Sequence, residues 1–246
     1  LVVGGASALR QPVHAGQAAG SFVEEKDLNA IFTMTSTIAD VGLIDGNWVR
    51  LADEDYWADG VSSTRLSSKG KISLKASWKL EANFTVVGNG HCNYGNVNLC
   101  DSSALPYRFA VGRVGGIERI TVVQGNDYKQ PQQPLTEEDF GENKPYCLSF
   151  DTAANAFTLS YNGKSITYPN PFTEDVVTVG IEGTMDYKGD VPAVGRVEGT
   201  FLKMAYTDYS PAFLETKLLD ESGGTIPQGT PIADGSIVTV QAKIKN

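Results

Sequence analysis

The sequence predicts an all-β protein built as a two-sheet antiparallel sandwich, and three observations carry that prediction. From residue 72 to 86, Ile72, Leu74, Ala76, Trp78, Leu80, Ala82, Phe84 and Val86 alternate with Ser73, Lys75, Ser77, Lys79, Glu81, Asn83 and Thr85. A helix scatters such residues around its circumference, whereas a strand places them all on one face. The same period returns in Tyr146, Leu148 and Phe150 and in Phe157, Leu159 and Tyr161, with Asn162-Gly163 before Ile166 and Tyr168. Asn-Gly between alternating runs is a hairpin signal. Finally, 26 Gly and 11 Pro break the 246 residues into short pieces and leave no amphipathic helical stretch.

Taken in order, residues 1–20 are small, with Gly4-Gly5, Gly16 and Gly20 and few anchoring side chains, and read as a flexible arm. Residues 21–209 read as the sandwich domain. Its first strands lie at Ile31–Thr35 and Gly46–Leu51, and residues 72–86 form one long strand, buried on one side and solvated on the other. Trp78 belongs to its core face. Further strands are expected at 107–114, 118–124, 176–184 and 196–207, while Pro131 to Pro134 with Glu137-Glu138-Asp139 reads as an exposed loop. Residues 210–246 form a C-terminal β-hairpin extension, its strands at 213–220 and 236–244 and its long connection running from Gly223-Gly224 to Asp234-Gly235. About a dozen strands without a fixed repeat leave a sandwich, jelly roll or barrel.

A net charge of −9 without a basic cluster argues against nucleic acid, because binding a phosphate backbone depends on Lys and Arg displacing counterions. No stretch approaches the roughly 18 apolar residues of a membrane helix, so membrane insertion is not expected. Three cysteines stand at 92, 100 and 147. Cys92 and Cys100 bracket an Asn/Gly-rich run read as a loop, which they either clip as a disulfide in an oxidising compartment or leave open as thiols. Cys147 sits in an apolar strand pattern and reads as a small buried hydrophobe.

The chemistry-bearing residues form three groups. Asp53, Asp55 and Asp59 can offer oxygen ligands to calcium from a flexible loop, or form an ordinary solvated acidic turn; no other cofactor is indicated. Tyr56 and Trp57 beside them, and Tyr94 among Asn93, Asn96 and Asn98, are aromatics with polar neighbours, the combination that suits a sugar ring; for Trp57 core packing competes. Glu182 and Asp186 share one face of the strand near 177–186 and are the best candidates for a two-carboxylate glycosidase pair, which needs a separation of about 5–10 Å. For a lyase, Tyr107, Arg108, Arg113 and Arg119 are available without a recognisable arrangement. His91 reads as a solvated loop residue, and no nucleophile-elbow sequence supports a serine hydrolase.

Tyr146 to Asp151 followed by Phe157 to Ile166, with Asn162-Gly163 closing the second strand, resembles the strand pair of concanavalin A-like and laminin G-like sandwiches. Val177 to Ile181 and Phe201 to Tyr206 are similar to later strands of that fold, so the resemblance spans about residues 65–209. It implies a concanavalin-like jelly roll, a group whose members include lectins, lyases, hydrolases and adhesion modules. Thr37 to Asp40, Asp45 to Arg50 and Tyr56 to Gly60 resemble the lead-in of phage tail-spike and tail-fibre proteins.

Together these readings point to a non-enzymatic glycan-recognition or adhesion domain, extracellular or on a particle surface, whose partner is a glycan or cell-surface receptor. The alternative is a structural virion or appendage protein that assembles with copies of itself through its terminal segments. A polysaccharide lyase or glycoside hydrolase ranks third.

Overall fold

A computed structural model of the chain describes residues 21–24, 27–36, 44–53, 61–88, 90–103, 105–186, 195–207, 212–220, 222–227 and 239–245. The chain divides into two compact units, Leu1–Asp208 and Tyr209–Asn246. The proposed arm at 1–20 lies outside the described residues.

The strands of the first unit, in chain order, begin with β1 (Ser21–Glu24), β2 (Phe32–Ser36), β3 (Ile44–Asp45), β4 (Trp48–Asp53) and β5 (Val61–Ser73). They continue with β6 (Trp78–Gly88), β7 (Cys92–Cys100), β8 (Tyr107–Val114), β9 (Ile117–Gln124) and β10 (Asp127–Pro134). The last are β11 (Gly141–Asp151), β12 (Ala156–Tyr161), β13 (Lys164–Pro169), β14 (Val176–Asp186) and β15 (Gly195–Tyr206). A single helical turn, α1 (Leu28–Ile31), is capped by Asp27, whose side chain accepts from the Asn29 N–H. One sheet runs β13-β12-β11-β6-β15-β4-β3, with β1 also on β15; the other runs β10-β9-β8-β7-β14-β5-β2. All pairings are antiparallel. The sandwich expected from sequence is present.

The core lies between the two sheets. Trp78, Phe84, Tyr146 and Phe157 from the first sheet meet Phe109 from the second, all essentially buried. Phe84 packs edge-on against Tyr146 at 4.9 Å and against Phe201 at 5.8 Å between ring centroids. Such pairs contribute about 0.5–1.5 kcal/mol each beyond their buried area. The Tyr146 hydroxyl crosses the core to donate to the Phe109 carbonyl at 3.0 Å, so its polar tip is satisfied where water is excluded. Gly95 on β7 is required here: a Cβ at that position comes within 2.6 Å of the Phe84 ring.

Two expectations change. The run 72–86 is not one strand: Ser73 ends β5 in one sheet, the chain turns at 74–77, and Trp78 opens β6 in the other. The alternation survives the corner because the inner faces of both sheets look onto the same core, so Ile72, Leu74, Trp78, Leu80 and Phe84 are all buried. Lys75 is exposed, while Lys79 and Glu81 form an ion pair on the outer side of β6. Pro131 to Pro134 is the edge strand β10 instead of a loop. Its pairing with β9 breaks between Lys129 and Gln133, around Pro131, and an edge strand tolerates a residue with no N–H because one side needs no partner.

The second unit is a three-stranded sheet in the order β17-β16-β18, formed by β16 (Ala212–Leu219), β17 (Thr225–Ile226) and β18 (Thr239–Lys245). β16 and β18 are the hairpin expected from sequence, paired from Ala212 with Lys245 to Leu219 with Thr239.

Candidate functional site

The face of the β10-to-β2 sheet turned away from the core is polar where a solvated face is expected, yet much of it is buried. On β14, Val177, Val179, Ile181 and Met185 point to the core, so Thr178, Gly180, Glu182 and Thr184 point outward. Register brings Arg65 on β5, Glu182 on β14, Asn96 on β7 and Ala110 on β8 into one row. The next row holds Ser67, Gly180, Asn98 and Arg108.

Glu182 is the centre of this face. Only 7% exposed, it accepts from Arg65 Nη2 at 3.2 Å on each oxygen, from Arg108 Nε at 3.3 Å and from Asn98 Nδ2 at 2.9 Å. A carboxylate in an apolar strand needs such partners, since removing one leaves a buried uncompensated charge. Asn96 and Asn98 are 0% and 4% exposed, and neither polar side-chain atom of Asn96 nor Oδ1 of Asn98 has a protein partner among the described residues. Beside them lies a depression of ≈ 210 Å³. Gly180 lines it together with Arg65, Ser67, Asn98 and Pro106.

Tyr94 stands on the same outer face, half-buried against Ala110, Val114 and Val123. Burial pushes its phenol above the ordinary value, and a hydrogen bond with Thr184 partly opposes that. The group therefore stays neutral at physiological pH, an amphipathic surface more than a proton acceptor. At the β10 edge, Arg119 lies 4.2 Å over the Tyr128 ring, donates to Gln132 and to the Val114 carbonyl, and so borders the face.

The other sequence candidates separate. The run from Asn93 to Leu99 belongs to strand β7 and is not a loop, which moves Asn93 to the inner face, where its Nδ2 donates to the Val87 carbonyl at 2.8 Å. Cys92 and Cys100 stand at the two ends of this strand as free thiols. Eight residue steps at about 3.3 Å each keep them far beyond bonding distance, so the proposed clip does not form. Burial pushes the Cys92 and Cys147 thiols up, as for inert buried cysteines.

Asp186 shares the outer face with Glu182, but four residues of extended chain set their backbones about 13 Å apart. Asp186 instead accepts from the Cys92 N–H, and Glu182 is engaged on both oxygens. Each carboxylate is thus held by its own protein partners. Asp53 is in β4 of the other sheet, ion-paired with Arg50 at 2.9 Å. Asp55, Tyr56, Trp57 and Asp59 lie outside the described residues, and among the described residues no three metal-ligating side chains converge.

Arg65, Arg108 and Asn98 were not assigned to one site by sequence reading. The usable signal was Glu182 itself, a lone acid inside the apolar run from Val177 to Met185, which requires cationic or donor neighbours from adjacent strands.

No protein-family model and no curated protein sequence matches the chain. Solved structures do match in shape. The lectin UEA-II complexed with galactose superposes with a TM-score of 0.53 at 11% identity, covering 76% of this chain and 96% of that one. A legume lectin-like domain from Entamoeba histolytica gives 0.50 at 14% identity, with coverages of 80% and 100%. The CBM2 module of the evolved Dit of Lactobacillus casei BL23 phage J-1 gives 0.53 at 12% identity, with coverages of 79% and 100%. The first unit is therefore a two-sheet jelly-roll sandwich with a polar outer sheet face. Its fold is that of the concanavalin-like sandwiches, in their legume lectin-like form. These neighbours do not support the resemblance to phage tail-spike lead-ins, most of whose residues, 37–43 and 54–60, lie outside the described residues.

Proposed function

We propose that this chain is a non-enzymatic glycan-recognition domain, exposed outside a cell or on a particle, that binds sugar on the outer face around Glu182, Asn98 and Tyr94. The observation that carries the reading is the buried polar network at the middle of that face. Donors and acceptors are fixed by four neighbouring strands around one carboxylate, beside a depression on the scale of a single sugar ring. Pockets that enclose drug-sized ligands run to about 300–1,000 Å³, so this one fits a ring lying open to solvent instead of an engulfed molecule. The lectins and the carbohydrate-binding module with the same fold support the reading, as does Tyr94, whose ring offers an apolar surface beside polar groups. Catalysis by paired carboxylates is disfavoured because both oxygens of Glu182 are engaged by Arg65, Arg108 and Asn98.

A glycan array probed with the whole chain, with and without EDTA, tests this. Binding to one glycan class is expected, reduced about tenfold or more by Tyr94→Ala or Asn98→Ala, with no reducing or unsaturated ends released. Steady product formation from any polysaccharide, abolished by Glu182→Gln or Asp186→Asn, would replace the reading with an enzymatic one. Loss of binding in EDTA would bring the calcium set at Asp53, Asp55 and Asp59 back into the site.

A structural role in a virion or appendage is the second reading. The observation favouring it is β18, which among the described residues pairs only with β16 and so leaves an edge on which another chain can add a strand.

A further inference from the structure

We infer that the sugar bound on this face is acidic, carrying a carboxylate that docks on the guanidinium groups of Arg65 and Arg108. The inference rests on the glycan reading and names the class of glycan. Two arginines converge on one carboxylate, so the cluster keeps one positive charge within a chain of net charge −9. Arg65 spends only Nη2 on Glu182, and Arg108 spends only Nε. Among the described residues, Nε and Nη1 of Arg65 and both terminal nitrogens of Arg108 have no protein partner, and neither side chain is enclosed, at 44% and 22% exposure. A guanidinium has five donors in a planar fork that matches a carboxylate edge, and paired donors of this kind give the strong, oriented hydrogen bonds.

The neighbours of the cluster support the same ligand. Glu182 accepts from both guanidiniums, and the side-chain carbonyl of a glutamine at the same place can still accept from them without the negative charge. Arg65 and Asn98 border the depression above Gly180, so a ring seated there brings its substituents to the Arg65 fork and its hydroxyls to Ser67 and Asn98. The only other carboxylate on this outer face of β14 is Asp186, four residues away and turned to the Cys92 N–H. It does not cancel the charge at the cluster.

The test measures calorimetric binding of a galacturonate trimer and its methyl-esterified counterpart, which share a sugar chain and differ in the carboxylate. The free acid is expected to bind roughly tenfold tighter than the ester in dilute buffer, equivalent to about 1.4 kcal/mol. Raising the salt to ~0.5 M should remove most of that preference, because exposed charge pairs are screened. Arg65→Ala should abolish the preference, so that acid and ester bind with equal affinity. Glu182→Gln, which removes the competing negative charge and keeps the shape, should increase the preference.

Equal binding of acid and ester, or a Glu182→Gln variant with weakened acid preference, would overturn the acidic-sugar inference and leave glycan recognition standing. Binding of neutral glycans alone would do the same. A chain that binds no glycan of either kind, on this pair and on the array, ends both readings. The opposite signs expected for Arg65→Ala and Glu182→Gln separate a charge effect from misfolding, since a loss of fold weakens both.

Discussion

Asp139 shows how a single side chain in this sandwich acquires its energy from a residue distant in sequence. It ends the short 3-10 turn before β11, accepts from the Thr136 N–H and hydroxyl, and pairs with Lys164 Nζ at 2.6 Å. Burial opposes its ionisation more than any single other factor, but Lys164, Thr136 and Asn162 together outweigh it and lower the carboxyl from 3.8 to about 2. A folded value below the unfolded one stabilises the protein above about pH 4, and the contribution is lost as pH falls toward 2. Discounted for the partial exposure of Lys164, it is worth about 1–2 kcal/mol. Asp139→Asn should therefore lower the urea-derived stability by about that amount at pH 7, and the gap to the unsubstituted chain should close toward pH 2. A gap that does not change with pH would sink this account. In sequence, Asp139 looked like part of a solvated acidic loop, because Lys164 is 25 residues away. Glu182 was visible as a candidate for the same reason that its role was not: its partners Arg65 and Arg108 stand 117 and 74 residues distant, and only strand register brings them together.

At the scale of elements, periodicity located strands well and misjudged where they begin, end and turn. The boundaries of β8 and the Asn162-Gly163 hairpin follow from the sequence because local chemistry decides them; both turn residues adopt the positive φ that Asn and Gly tolerate. The corner between β5 and β6 was hidden, since a chain passing from one sheet to the facing one keeps the same alternation of buried residues. β7 was hidden for the opposite reason. Asn93, Asn96, Asn98 and Gly95 have low strand propensity, yet β7 is flanked by β8 and β14 and its ladder is complete on both sides. Tertiary context overrides propensity there, and with the loop goes the disulfide. Thiol titration in denaturant under non-reducing conditions should accordingly count three free cysteines, and dithiothreitol should leave the unfolding midpoint unchanged. A count of one, with a midpoint lowered by reductant, would restore the bond between Cys92 and Cys100.

For the molecule as a whole, the alternation and turns were sufficient to read the two-sheet architecture, whereas the location of the proposed binding face depended on which sheet carries buried polar residues outward. The sequence reading placed a C-terminal extension from residue 210, and the chain divides into units at Asp208 and Tyr209. Among the described residues, the main hydrophobic core runs from Leu28 to Met204 and lies in the first unit, so removing the second takes away none of those side chains. A chain ending at Asp208 should thus keep the denaturant midpoint and cooperativity of the full chain, followed by tryptophan fluorescence, and should keep its glycan affinity within about twofold. A shortened chain that is unfolded by far-UV circular dichroism would mean that the sandwich depends on residues 209–246. The same pair of proteins decides between the two functional readings. If the open edge of β18 joins copies of the chain, light scattering will show the full chain as an oligomer and the shortened one as a monomer, with bound glycan secondary. A full chain that is monomeric at every concentration and binds glycan as well as its shortened form leaves recognition, with its site wholly on the sandwich, as the function.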